Sequence, residues 1–383
     1  MDQIQGIISV NVPVRSTIVK LKGGGLWVYN PVAPTIECIE VVRGLEALHG
    51  PVQHIILGTL GLEHKALAGP FSRYFPNATV WLQPGQWSFP INLPPQLFGF
   101  PPSPRTREIP TAGPNPWAAD FDYEVLGPLK FKSVGGFGES AFLHRASGTL
   151  IVTDCVVQVG DRPSPILLDD PRALLFHSKD SMLEEVEDTE EARLRGWRRM
   201  ALFGLVFYPS GILVSSVFET LKNLPKVSES LSRLGQGAVP ISGGLYPWSW
   251  VGRFASLFGG SVSPAPGLLV APILQTLILN REPERVLEWA DRVGSWKFSR
   301  IIPSHLENNI RADGRAFRAA FSFLDAQPQT SQSKRPTTQK QPRQPLQPMQ
   351  PTQTQPTRGD MALLRTLSRL FTALGIVADE VLL

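Results

Sequence analysis

Apolar and polar positions along the first third of the chain alternate between the spacing of a β-strand and that of a helix. Two β-type runs at 17–22 and 26–30, joined by three glycines, predict a hairpin. Thr35 is typical of a helix N-cap, and the apolar residues after it recur every three or four positions. Short apolar runs at 54–58 and 79–82 lie on either side of a second helical pattern. This order predicts an α/β fold, in which helices cover a sheet.

A Pro-rich segment without periodicity, residues 84–117, interrupts this order. It predicts a long loop over the domain, and because long ordered loops are often functional, it is a candidate lid or pocket wall that includes Trp87 and Phe89. Beyond this loop the pattern predicts strands at 129–134, 140–144, 149–157 and 300–303, and helices at 283–296 and 313–324.

Residues 161–280 are predicted to form a helical insertion. An acidic run at 184–191 and the arginines after it favour a solvated helix with ion pairs over a basic, ligand-facing patch around Trp197. The stretches 200–218 and 261–280 carry no charge and are long enough to span a bilayer. Pro, Gly, Ser and Gln interrupt both of them, so buried helices are favoured and a membrane span is not expected.

The end of the chain divides into a linker and a helix. Residues 327–357 contain 10 Gln and 7 Pro, which cannot bury a core and predict a disordered linker. Residues 360–383 are predicted to hold a C-terminal amphipathic helix, since leucines recur on one face as far as residue 374. Docking onto the domain is the favoured role for this helix, and binding to a partner groove or a membrane surface stays open.

Charge and cysteine content narrow the classes of function. The net charge of +4 comes largely from four basic residues in the linker, so the domain is close to neutral and no nucleic-acid partner is expected. Cys38 and Cys155 are too few for a disulfide framework, which suits a reducing intracellular compartment. The first residues have neither a basic segment nor a long apolar segment, so no leader is predicted from them.

The segment 55–64 carries the most informative motif. It resembles the metal-binding loop of the metallo-β-lactamase superfamily, an apolar strand followed by His-x-His-x-Asp-His. Thr59 and Gly61 stand where the first two histidines belong, Glu63 takes the place of the aspartate, and His64 is unchanged. The loop therefore resembles that of the superfamily with half of its metal ligands replaced.

Three later segments resemble the superfamily in the same order. Residues 150–154 are similar to the strand that ends in the bridging aspartate, here Asp154, and residues 301–305 to the late strand that ends in the last histidine, here His305. Before both of these segments, residues 133–139 occupy the place of the superfamily's Pro-Gly-His turn but lack its histidine. The resemblance covers most of residues 7–325 and implies a metallo-β-lactamase-like αββα sandwich for that domain.

Whole segments also resemble a narrower family. The amino-acid sequences of residues 30–35, 63–71 and 81–90 are similar to those of an uncharacterised family of plants, algae and cyanobacteria, which is classed as a domain of unknown function. Its fold is regarded as metallo-β-lactamase-like, of the ribonuclease Z and hydroxyacylglutathione hydrolase kind. This resemblance implies a fold, and a chloroplast or cytoplasmic location, but no activity.

The superfamily resemblance implies which part of the metal site is still present in this sequence. The three-histidine cation site cannot form, but the second site has counterparts in Glu63, His64, Asp154 and His305. Two imidazoles and two carboxylates suit one Zn, Fe or Mn ion. Such an ion would activate a water for hydrolysis of an ester, thioester or phosphoester, with Asp154 orienting the water and Glu139 as an outer acid or base.

Other functions stay open beside a metal-dependent hydrolase. The four residues are equally compatible with a site that holds no metal, in a non-catalytic scaffold or ligand-binding protein. A membrane-associated protein is the third class. Whether the protein is an enzyme, which small molecule it takes and how many copies assemble are not predicted.

Overall fold

Two β-sheets lie at the centre of the computed structural model, which describes residues 1–7, 10–87, 92–130, 135–180, 184–201, 212–214, 248–250, 267–325 and 358–374. The strands are β1 (Asp2–Ile7), β2 (Val10–Arg15), β3 (Thr17–Lys20), β4 (Leu26–Tyr29), β5 (Val52–Leu57), β6 (Thr79–Leu82), β7 (Thr106–Glu108), β8 (Phe121–Lys130), β9 (Gly136–His144), β10 (Thr149–Ile151), β11 (Ile212–Val214), β12 (Trp248–Trp250) and β13 (Arg300–Ile302). The helices are α1 (Ile36–His49), α2 (Leu62–Ser72), α3 (Pro165–Asp169), α4 (Arg172–Ser178), α5 (Glu190–Ala201), α6 (Pro272–Leu277), α7 (Pro283–Gly294), α8 (Gly314–Ala319) and α9 (Arg358–Ala373).

The first sheet has the strand order β3-β4-β5-β6-β7. β3 and β4 form the antiparallel hairpin, in which Thr17 lies opposite Tyr29. β4 to β7 are parallel, because α1, α2 and then the segment between β6 and β7 each carry the chain back before the next strand begins. The carboxyl ends of β4, β5 and β6 therefore meet at one edge of this sheet.

The second sheet has the strand order β13-β10-β9-β8. β8, β9 and β10 are antiparallel neighbours, whereas β13 returns from far along the chain and pairs parallel to β10, with Ile301 opposite Leu150. The segments that follow β10 and β13 consequently leave the sheet at the same edge. This pairing is what brings Asp154 and His305 into one place.

Alternating side chains assign each face of the sheets to a different layer. Trp27 and Ile56 point into an aromatic cluster between the two sheets, together with Phe142 from the second sheet. Val28 and Ile55, one residue away, belong to the cluster beneath α1 and α2. α7 and α8 cover the outer face of the second sheet. The described layers are therefore helix, sheet, sheet and helix, which confirms the predicted α/β class.

Local patterns predicted several elements correctly. Thr35 caps α1 by accepting a hydrogen bond from Cys38 N, and β6 has the predicted bounds. The predicted strand 149–157 is too long, since β10 ends at Ile151. The backbone N–H groups of residues 153–155 bind a buried carboxylate instead of a neighbouring strand.

Other boundaries also differ from the prediction. The Pro-rich segment 84–117 contains β7, which pairs with β6 through its backbone although its side chains show no apolar alternation. The helix of the acidic run begins only at Glu190, after Thr189 accepts a hydrogen bond from Ala192 N. The predicted helix 313–324 is interrupted, and a short 3₁₀ turn follows α8.

The insertion and the tail are described in part. Trp197 on α5 is buried and donates to Gly160 O at 2.9 Å, so it does not face a ligand. Most of the uncharged stretch 200–218, residues 261–266 of the second stretch, and the whole predicted linker 327–357 lie outside the described residues. Within the part that is described, no helix is long and apolar enough to cross a membrane. α9 lies against α6, with Leu364 fully buried.

Replacing an aromatic residue between the sheets is expected to be costly. Phe142 is 0% exposed, so Phe142→Ala should lower the free energy of unfolding by about 3–5 kcal/mol through lost burial and a cavity. Urea unfolding measures the change, and Leu48→Ala on α1, where the side chain is 76% exposed, is the control with little expected loss. Equal losses in the two variants would contradict the proposed layering.

Candidate metal centre

One edge of the two sheets gathers the four side chains that the sequence singled out as ligands. One ligand atom each from Glu63, His64, Asp154 and His305 lies within 4.8 Å of all the others. His305 Nε2 is 3.1 Å from His64 Nε2 and 3.0 Å from Asp154 Oδ1. The fold therefore joins residues that are up to 242 positions apart in the chain into one cluster.

Each ligand follows the carboxyl end of a strand. Glu63 and His64 lie in the first turn of α2, after the loop that leaves β5. Asp154 follows β10, and His305 follows β13. Because β10 and β13 are parallel neighbours, their following residues emerge side by side, which is where α/β sheets commonly bind ligands.

A backbone carbonyl sets the orientation of His305. Its Nδ1 lies 3.0 Å from Pro13 O, and a carbonyl oxygen can only accept, so the ring carries its proton on Nδ1. Nε2 then presents its lone pair to the cluster whenever the ring is neutral. Backbone pairing between Val14 and His305 holds the same segment in place. Such a carbonyl partner is the usual device that fixes a metal-binding histidine.

The two imidazoles respond oppositely to their surroundings. Burial, reinforced by the nearby His305, lowers the pKa of His64 to about 3. Burial also favours the neutral form of His305, but hydrogen bonding and charge from Asp154 outweigh it and raise the pKa of His305. The same contact with His305 lowers the pKa of Asp154, although burial of that carboxylate acts in the other direction. His64 is thus neutral near pH 7, while the contact between His305 and Asp154 favours the charged form of both groups.

Gly61 leaves the space that Glu63 uses. A Cβ atom placed on Gly61 would lie 2.6 Å from Glu63 Oε1, a distance that real side chains do not reach. Glu63 is the most exposed of the four, yet loss of water around its carboxyl group and the charge of Asp154 raise its pKa. A histidine at position 61, as in the superfamily's motif, would exclude this position of the Glu63 side chain.

Glu139 is fully buried beneath the loop that carries Asp154. Oε1 accepts from Thr153 N, and Oε2 accepts from Asp154 N and Cys155 N, each at 2.8 Å. Burial and the charge of Asp154 raise the pKa of Glu139 to about 7, against the effect of the three N–H donors. Its oxygens are directed at the backbone of the loop, so the geometry suits holding Asp154 in place.

Residues 1–323 match the family described as a domain of unknown function, DUF4336. The chain belongs to the DUF4336 family. The predicted membership of an uncharacterised family is thereby confirmed, whereas its distribution among plants, algae and cyanobacteria stays a prediction. The family description assigns no activity to the cluster.

Curated proteins and solved structures give little further information about this DUF4336 protein. No curated protein matches its sequence. Among solved structures, a mutant flavo di-iron protein from Thermotoga maritima has 10% identity and a TM-score of 0.34, over 84% of this chain and 56% of that chain. The DUF4336 protein thus spans little more than half of that structure's length. Similarity at this level carries no argument about fold or activity.

Sequence reasoning missed several residues that support the cluster of the DUF4336 protein. Thr59 hydrogen-bonds to the Asp154 carboxylate and accepts from Gly61 N at 3.0 Å. The first residues of the Pro-rich loop also contact this region, since Gln86 Nε2 donates to Thr59 O and Lys65 Nζ donates to Trp87 O. Such contacts leave no periodic signal in the sequence.

The other histidines and Cys155 lie outside the cluster. His54 Nδ1 accepts from Trp81 Nε1 at 3.2 Å, and His144 Nδ1 lies 2.8 Å from Ser147 Oγ. Cys155 is buried in the apolar cluster beneath the second sheet, and its thiol hydrogen-bonds to Glu139. These contacts are typical of residues with a structural role.

Replacement of Glu139 tests the carboxylate beneath the loop. In Glu139→Gln the amide nitrogen would face at least one backbone N–H donor, so the free energy of unfolding should fall by about 1–3 kcal/mol. Urea unfolding measures this loss. Glu288→Gln, at a side chain that is 70% exposed, is the matched control with little expected change. An unchanged Glu139→Gln protein would contradict the role in holding the loop.

The neutral state of His64 makes the stability of the metal-free protein depend on pH. Its pKa of about 3 lies below the unfolded value near 6.5, so the unfolded state binds more protons between these values. The contribution of the neutral His64 ring to the free energy of unfolding is complete above about pH 6.5 and decreases as the pH falls below that value. The free energy of unfolding of wild type minus that of His64→Gln should therefore decrease by about 1–3 kcal/mol from pH 6.5 to 4.5. A constant difference, measured in urea with chelator, would contradict this.

Proposed function

We propose that this protein has a metallo-β-lactamase-like fold with a single-ion half-site, and that it hydrolyses an ester, thioester or phosphoester. The observation that carries the proposal is the spacing of the ligand atoms. Two ligands bound about 2.1 Å from one ion lie roughly 3.4 Å apart in a tetrahedron, and neighbouring ligands lie roughly 3.0 Å apart in an octahedron. The separations of 3.1 Å and 3.0 Å around His305 Nε2 are close to the octahedral value.

The arrangement of the chain supports the fold that is proposed. Two sheets pack face to face with helices outside, and the loop after β5, the end of β10 and the end of β13 carry the ligands in that order. These are the places where the superfamily resemblance located them. Thr59 and Gly61 supply no imidazole, so the residues fit one ion rather than two.

The chain's own residues would bind the ion and orient the reactants. His64 and the neutral form of His305 supply nitrogen ligands, and Asp154 and Glu63 supply oxygen ligands. When bound, the ion lowers the pKa of a water and polarises the carbonyl or phosphoryl oxygen of the substrate. Asp154 is placed to orient that water. Glu139 keeps Asp154 in position through the backbone rather than by exchanging a proton with substrate.

The number of ligands favours an ion with more than four coordination positions. A catalytic zinc site keeps three protein ligands and one open position, whereas four protein ligands would close a tetrahedral site. An ion that prefers six positions, such as Fe or Mn, would keep two positions for water and substrate with all four residues bound. Zn would be catalytic here only with Glu63 left free.

A non-catalytic scaffold without metal is the second candidate, and one observation favours it. His305 already bonds to Pro13 O and Asp154 and contacts His64, so the cluster is held together by its own hydrogen bonds. The hydrogen bond between His305 and Asp154 raises the pKa of the histidine and lowers that of the aspartate, so it favours their charged forms without any ion. The two candidates therefore differ in whether a metal displaces the proton of His305.

Elemental metal analysis distinguishes the two candidates. Wild-type protein purified without chelator should contain about one equivalent of Zn, Fe or Mn, and an Asp154→Ala, His305→Ala double variant should contain none. His144→Ala, which removes an imidazole outside the cluster, should keep its metal. Loaded wild type would then be assayed against ester, thioester and phosphodiester substrates.

Absence of metal would reject the hydrolase. If wild type binds no Zn, Fe or Mn even when each is added in excess, the scaffold becomes the better account. Retention of metal by the double variant would place the ion elsewhere and would equally contradict the proposed site.

A further inference from the structure

Asn30, the first residue after β4, bonds to three separate strand ends. Its Oδ1 accepts from Gly58 N at 2.9 Å, and its Nδ2 donates to Thr153 Oγ1 at 2.9 Å and to Ser304 Oγ at 3.0 Å. The side chain is 0% exposed. Both amide hydrogens and the carbonyl oxygen are therefore engaged, and no water is needed to satisfy them.

Each of these bonds reaches the segment of a candidate ligand. Thr153 directly precedes Asp154, and Ser304 directly precedes His305. Gly58 begins the loop that leads from β5 to the first turn of α2, where the remaining two ligands lie. One carboxamide thus connects the first sheet, through β4 and β5, with the two strand ends of the second sheet.

The backbone of Asn30 is adapted to this position. Its φ of 44° lies in the left-handed region, which asparagine adopts more readily than most residues with a side chain. Asn30 N donates to Ile56 O at 2.8 Å, which anchors the residue beside β5. Glycine would accept the same backbone but could make none of the three side-chain bonds.

Neighbouring hydroxyl groups restrict the amide to one arrangement. Ser140 O can only accept, so the Tyr29 hydroxyl donates to it at 2.8 Å. The Thr153 hydroxyl must then donate to the Tyr29 oxygen, 2.7 Å away, which leaves its own oxygen free to accept from Asn30. The donor and the acceptor of each hydrogen bond are thereby fixed. A side chain at position 30 that could only accept hydrogen bonds would leave the Thr153 oxygen without its donor.

We propose that Asn30 is a positioning residue of the candidate metal centre, whose carboxamide fixes the loop before α2, Asp154 and His305 relative to one another. The effect of Asn30 on metal binding can be measured only if the proposed function is correct. Its effect on the spacing of His64 and His305 can also be measured in the metal-free protein, and that measurement does not depend on the proposed function. Mutation of residues that orient ligands in this way typically lowers metal affinity about 10- to 100-fold.

Asn30→Gly is the decisive variant, since it keeps the backbone conformation and removes all three bonds. The dissociation constant for added Mn or Co, measured by competition with a chelating dye, should rise at least about 10-fold. Visible absorption of the Co-loaded protein should change at the same time. Val42→Ala, which removes buried volume beneath α1 on the far face of the first sheet, is the stability-matched control and should leave both readouts unchanged.

Ser304→Ala keeps the test decisive if Asn30→Gly does not fold. It removes only the bond next to His305 and should weaken metal binding about 3-fold or more, since one of three anchors is lost. Unchanged affinity and Co absorption in a folded Asn30→Gly or Ser304→Ala protein would overturn the proposal.

The metal-free protein separates this inference from the proposed function. The His64 and His305 rings have centroids 5.0 Å apart, so nuclear Overhauser contacts between them, and the Nδ1–H form of His305, can be observed by NMR without metal. Asn30→Gly should lose or shift these signals, and Val42→Ala should keep them. If wild type binds no metal, the proposed function fails while this comparison still decides the role of Asn30. Preserved signals in Asn30→Gly would contradict it.

Discussion

A buried carboxylate that accepts three backbone N–H groups is the interaction on which the candidate centre depends. The chain leaves β10 after Ile151, and although Val152 N still donates to Ile302 O on β13, the N–H groups of residues 153–155 do not pair with a neighbouring strand. Unpaired N–H groups in a buried place each cost about 1–3 kcal/mol, so an irregular loop needs another acceptor. Glu139, from the adjacent β9, supplies it to residues 153–155. Asp154 can therefore turn away from the sheet toward His305.

Satisfied polar groups extend from this carboxylate through the whole edge of the two sheets. Pro13 O orients His305, Thr59 bonds to Asp154, and Asn30 connects three strand ends. The resulting cluster holds His305 and Asp154 3.0 Å apart, a contact that favours the protonated histidine, and its four side chains also lie close enough together to hold a cation. Proton and metal thus compete for the same nitrogen, and this competition separates a hydrolase from a scaffold more directly than the fold does.

The residues at the replaced histidine positions contribute to the remaining site. Gly61 provides the space in which the Glu63 carboxylate lies, and Thr59 hydrogen-bonds both to Asp154 and to the loop backbone. Glu63 is one methylene longer than the aspartate of the superfamily's motif, and its side chain uses that space to reach the other ligands. The departures from the motif therefore form one consistent arrangement around a single site.

Local order was determined by the sequence alone. Periods of two and of about 3.6 residues located β3, β4, β6 and α1, because they report which face of a short segment is buried. Thr35 was identified as a cap, since its hydroxyl bonds only three residues away. Resemblance to a known motif, rather than periodicity, selected Glu63, His64, Asp154 and His305.

Long-range pairing was decided only by the tertiary structure. β7 lies at the edge of its sheet and is held by backbone pairing with β6, so its position does not require alternating side chains. The end of β10 depends on a carboxylate 14 to 16 residues earlier in the chain. Asn30 bonds to partners 28, 123 and 274 positions away. A residue's own neighbours in sequence carry no signal of such bonds, since they form only where two sheets stack with a particular register.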